Sequence, residues 1–162
     1  MQTLTTLSSY LPRPLAAEII THPECNVFEL ATRMDAVVLF ADMSGFTPLT
    51  AALGALGPQG AEEMTRVLNE LFTPLIERSH RWGGVVGKFA GDALTVLFFG
   101  DAAEPRALAC ALELRDYMRT HGDCKTRAGD FPVRMKFGLA AGEVLQAIVG
   151  TERRAEFIFA GA

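Results

Sequence analysis

The stretch Ala36-Val37-Val38-Leu39-Phe40-Ala41 is unbroken apolar sequence with adjacent valines, the pattern of a central strand covered on both faces, and it stops abruptly at Asp42. A chain with such a strand must lay other elements over it. Further along, Val85 to Lys88 and Leu94 to Phe99 flank Phe89-Ala90-Gly91-Asp92-Ala93, which reads as a β-hairpin whose tip presents Asp92. Two aspartates are thus expected at the ends of strands.

Between these segments, Met64, Val67, Leu68, Leu71, Phe72, Leu75 and Ile76 recur at the spacing of one helix stripe over Ala61 to Trp82. Pro74 predicts a kink near residue 70 because it removes one N–H from the ladder, and Gly83-Gly84 ends the helix. Pro105 opens a second helix with Leu108, Ala111, Leu112 and Leu114 inward, followed by a polar loop over residues 122–132. Val133, Met135, Phe137 and Leu139 alternate with Arg134 and Lys136 as a strand with one polar face, and short strands are expected in 144–149 and 155–159. Strand, helix, two strands, helix, strand is the order of a ferredoxin-like α/β (α+β) sandwich of the palm type.

A length of 162 residues suits one domain. Residues 1–33, with a Pro-opened helical turn at Leu15 to Ile20, read as an N-terminal arm, and residues 34–162 as the domain. The balance of 15 basic against 19 acidic residues, a net charge of −4, does not favour a nucleic-acid footprint. Cys25, Cys110 and Cys124 lack metal-site or disulfide spacing, and no apolar run approaches the roughly 20 residues that span a bilayer. A cytoplasmic location without membrane insertion is the expectation.

Asp42-Met43-Ser44-Gly45-Phe46-Thr47 offers a carboxylate and then a turn of backbone N–H groups, which suits a divalent cation followed by a triphosphate. Asp92 would complete a two-metal cage. Each aspartate could instead be a turn residue, and Thr47 a plain helix N-cap.

Phe40 to Thr47, Gly83-Gly84, Lys88-Phe89-Ala90-Gly91-Asp92-Ala93 and Gly138-Leu139-Ala140-Ala141-Gly142 together resemble the class III nucleotidyl cyclases, most of all the first catalytic half of the bicarbonate-responsive soluble adenylyl cyclases. The resemblance runs from about Met34 to the last residue. It implies the class III cyclase fold and an adenylate cyclase, a phosphorus–oxygen lyase that makes cyclic AMP and pyrophosphate from ATP in intracellular signal transduction. It further implies two Mg2+ or Mn2+ ions per site, held by Asp42, Asp92 and the Met43 carbonyl. Ser44, Gly45, Phe46, Thr47 and Lys136 would hold phosphates, and Lys88 would contact the base or, in the bicarbonate-responsive branch, bicarbonate. The partners implied are ATP and a second cyclase domain, as a homodimer or a tandem half. Lys88 and Lys136 can also be read as solvated strand lysines.

The sequence departs from that pattern in three places. Glu143 stands where other members carry an arginine, and Ile158 where many carry a base-reading aspartate, which leaves ATP against GTP selectivity open. Phe157 to Ala162 precede the asparagine and arginine that steady the family's transition state, so the domain is expected to be C-terminally truncated and inactive as an isolated fragment. The alternative is a catalytically incomplete cyclase-homology module that binds nucleotide or bicarbonate and regulates a partner. A palm-type cyclic-dinucleotide synthase fits less well, because its Gly-Gly-Asp-Glu-Phe turn differs from Phe89-Ala90-Gly91-Asp92-Ala93.

Overall fold

The computed structural model describes residues 11–24, 26, 31–151 and 153–161. Most of the arm expected at residues 1–33 lies outside these, apart from helix α1 (Arg13–Thr21), which opens on prolines, and Ala31 to Arg33, which begin the first strand. The remaining elements are β1 (Ala31–Ser44), α2 (Phe46–Gly54), α3 (Pro58–Arg81), β2 (Val85–Ala90), β3 (Ala93–Phe99), α4 (Ala103–His121), β4 (Asp123–Thr126), β5 (Gly129–Pro132), β6 (Arg134–Thr151) and β7 (Arg154–Gly161). Among the described residues no helix is long and apolar enough to cross a membrane.

The main sheet is antiparallel in the order β2-β3-β1-β6-β7. Its first four strands have the ferredoxin-like arrangement, and β7 extends it beyond β6. Val37, Leu39, Ala41 and Met43 of β1 are buried on one face against Val67, Leu71 and Leu75 of α3 and Ala107, Cys110, Leu114 and Met118 of α4. That alternation is what a strand with helices on one side requires.

The other face is concave. Strands β2 and β7 are opposite edges, yet a side chain added at Gly87 of β2 would meet the Phe159 ring of β7 at 2.8 Å and Leu97 at 2.6 Å. The sheet therefore curls until its edges approach, and Phe159 packs with Ala36, Leu97 and Val144 in a second, smaller cluster.

Three expectations are corrected. Residues 122–132 form the β4–β5 hairpin, not a loop, because the Thr126 hydroxyl donates to the Gly129 carbonyl at 2.8 Å and accepts from the Ala128 N–H at 3.1 Å. Strand β6 is continuous through Gly138 and Gly142, since β1 pairs with it without a shift from Ala31↔Ala147 to Ser44↔Arg134. Helix α3 contains Pro74 as expected, and the Pro74 carbonyl accepts from Arg78 Nη1 at 3.1 Å. In α4 the inward stripe is Ala103, Ala107, Cys110, Ala111, Leu114 and Met118, while Leu108 and Leu112 face outward.

The base of the β2–β3 hairpin is fixed by one side chain. Arg106 of α4 donates to the carbonyl of Phe99 at 2.5 Å, of Trp82 at 3.1 Å and of Asp101 at 3.2 Å. Trp82 and Asp101 lie outside the strands, so no ladder supplies their carbonyls with a partner.

Candidate active site

Asp42 occupies the last turn of β1, where register opposes it to Ala93 on one side and Lys136 on the other. The β2–β3 hairpin closes with Ala90 opposite Ala93, which leaves Gly91 and Asp92 as its two-residue tip, with Gly91 at φ 65°. The Met43 N–H then donates to the Asp92 carbonyl at 3.3 Å. Both aspartates are half-buried at this one sheet corner.

Ser44 donates from Oγ to the Arg134 carbonyl at 3.4 Å, and the chain turns at Gly45 with φ 87°. Only glycine fits here: a Cβ would run into the Pro132 carbonyl of β5, and the conformation is left-handed. Gly45 is the N-cap of α2 and no side chain caps that end, which corrects Thr47 as a cap. Thr47 is instead inside the first turn, where the N–H groups of Phe46 and Thr47 have no partner within the helix. Such an end attracts anions.

Lys136, directly across β6 from Asp42, supplies an exposed cation on the same concave face. Lys88 reaches that face by a different route. The register shifts between Val86 and Lys88, so Gly87 is a bulge, and Lys88 pairs with Thr95, itself opposite Phe40. Lys88 therefore lies away from the carboxylates, across β3, and its charge contributes to holding the Glu156 carboxyl low, after the larger effect of Arg154. A glycine inside the Val85-Val86-Gly87 strand was the available signal of this bulge.

Glu143 does not share a face with Asp42 and Lys136. In the unshifted β1–β6 register it falls on the face opposite Asp42 and pairs with Arg33 at 2.6 Å. Ile158, opposite Ala147, also points away from the face that carries Lys88.

The donor set fits divalent cations. Among the described residues no three His, Cys, Asp or Glu side chains gather, so Asp42, Asp92 and a backbone carbonyl would hold metal only with oxygens from phosphate and water completing the shell. Oxygen donors in small number suit Mg2+ or Mn2+ arriving with a nucleotide. The cysteines add nothing here. Burial pushes the Cys110 thiol up to about 11, and burial, with Glu70 and Asp123 nearby, also raises that of Cys124.

Residues 29–161 match the family described as the adenylate and guanylate cyclase catalytic domain. Adenylate cyclase type 10 of Mus musculus is 32% identical over 136 residues, which is 78% of this chain but 8% of that protein. A bacterial light-regulated adenylyl cyclase superposes with a TM-score of 0.74 at 21% identity, covering 99% of this chain and 44% of that one. The guanylyl cyclase Cya2 gives 0.65 at 28% identity, covering 82% of this chain and 66% of that one. The chain thus spans a small fraction of that adenylate cyclase and between about two fifths and two thirds of these solved chains.

Proposed function

The chain belongs to the adenylate and guanylate cyclase catalytic domain family, and we propose that it is an adenylyl cyclase domain that converts ATP to cyclic AMP and pyrophosphate at a site completed by a second cyclase domain. The observation that carries this reading is the junction of β1 with the hairpin tip, which sets Asp42, Met43 and Asp92 at one corner beside the α2 N-terminus.

Asp42, Asp92 and the Met43 carbonyl would hold two Mg2+ or Mn2+ ions. When bound, these lower the pKa of the ribose 3′-hydroxyl and neutralise charge on the leaving pyrophosphate. The chain's own groups do the positioning. Backbone N–H groups of the Ser44–Thr47 turn donate to phosphate oxygens, and the Lys136 ammonium offsets phosphate charge beside Asp42. Lys88, across β3, contacts the base, or bicarbonate, on the concave face where the second domain docks; exposed Phe40 lies on that face. ATP is preferred over GTP because a relative at 32% identity is an adenylate cyclase. No observation favours the regulatory, binding-only alternative.

The test is a chromatographic assay for cyclic AMP and cyclic GMP with Mn-ATP and Mn-GTP, run with the chain paired to a complementary cyclase half. Cyclic AMP formation abolished by Asp92→Ala is the expected result. Binding of Mn-ATP without product under pairing conditions would overturn it.

A further inference from the structure

The β2–β3 hairpin carries Asp92 on an exposed tip: Lys88, Phe89, Ala90 and Gly91 are all exposed, and among the described residues no strand pairs with the outer side of β2. Backbone pairing alone would leave that tip free to swing. On the β1 side it is held by the Met43–Asp92 hydrogen bond. On the β2 side it is held by a ring. Because of the Gly87 bulge, Phe89 falls on the helix side of the sheet, next to buried Leu94, and meets Phe72 of α3 edge to face, centroids 5.4 Å apart at 81°.

Phe89 remains 47% exposed, so burial is a poor account of a phenylalanine there. An edge-to-face pair is directional, however, and fixes where the strand end lies over α3. We propose that Phe89, braced by Phe72, is a positioning residue for Asp92, setting the hairpin tip so that this carboxylate and Asp42 share a divalent cation. The inference rests on the assignment of Asp92 as a metal ligand. Carboxylates that share a cation must be held to within about 0.5 Å, which an unbraced edge hairpin does not provide.

The experiment titrates MnCl2 into the full chain with a non-cyclisable ATP analogue, free Mn2+ being read by electron paramagnetic resonance, alongside thermal melting. Phe89→Leu and Phe72→Leu should each weaken Mn2+ binding about 3- to 10-fold, with a folded melting transition retained. Phe89→Tyr, which keeps the ring edge, should bind within about twofold of the parent. Asp92→Ala serves as the reference for complete loss. Parent-like Mn2+ affinity in both leucine variants, while Asp92→Ala loses it, overturns the positioning role alone. Parent-like affinity in Asp92→Ala overturns the metal assignment and the inference with it. If Phe89→Leu does not fold, Phe72→Leu and Phe89→Tyr carry the same decision.

Discussion

The Met43 N–H and the Asp92 carbonyl, 3.3 Å apart, fasten the end of the central strand to the hairpin tip main chain to main chain. Neither aspartate side chain takes part in that junction. Asp42→Ala and Asp92→Ala should therefore fold as the parent does while losing metal-dependent nucleotide binding. Calorimetry with ATP, with and without Mn2+, should show affinity falling at least about 10-fold in each variant. Equal affinity in all three proteins would remove the metal pair from the site.

Gly45 sits at φ 87° against the Pro132 carbonyl. Gly45→Ala should cost at least about 1–2 kcal/mol from the left-handed backbone alone, and should push the turn off the β4–β5 hairpin. Urea unfolding reads the first effect and triphosphate affinity the second. An unchanged midpoint would show that the turn relaxes freely.

Gly87 allows Leu97 and Phe159 to close over the bulge. Gly87→Ala should destabilise by about 1–3 kcal/mol through overpacking. Adding Phe159→Leu should recover part of the loss, because the clash is shared between the two sites. Additive losses in a double-mutant cycle would mean that the curl does not depend on this contact.

Cys110 is fully buried and held up to about 11, against an ordinary value of 9.0, chiefly by burial. The folded state binds this proton more tightly than the unfolded state. Its contribution to stability is therefore complete below about pH 9 and is lost as pH rises towards about 11. Iodoacetamide at pH 8 should leave Cys110 unmodified in the folded protein, label half-buried Cys124 slowly, and label both in urea, as read by peptide mass spectrometry. Rapid folded-state labelling of Cys110 would contradict its burial.

The two aspartates were legible because their signals are local, a carboxylate closing an apolar strand and a Gly-Asp pair closing a hairpin. What brings them together was not. The contact between Met43 and Asp92 joins segments that share no pattern, and the side on which Lys88 emerges depends on a single bulged residue. A sheet reads as alternation only while register holds, so one extra residue exchanges the faces of Lys88 and Phe89. The opposite failure occurred in β6, where a strand ending at Leu139 and another at 144–149 were expected and β1 carries one strand straight through. The face of Glu143 was illegible for the same reason, since it is set by register with β1 and not by its own neighbours.

The pairing of β1 with β6 also orders events in time. Ser44 meets Arg134 across a separation of 90 residues and Arg33 meets Glu143 across 110, so this ladder closes only after most of the chain has been synthesised. The hairpin tip lies far nearer to β1 along the chain, because Asp92 precedes α4 and everything after it. Loop-closure entropy favours the nearer partner first. Of the two neighbours of Asp42 in the sheet, the one from the hairpin is thus the cheaper to reach from an open chain, and the one that brings Lys136 is the dearer.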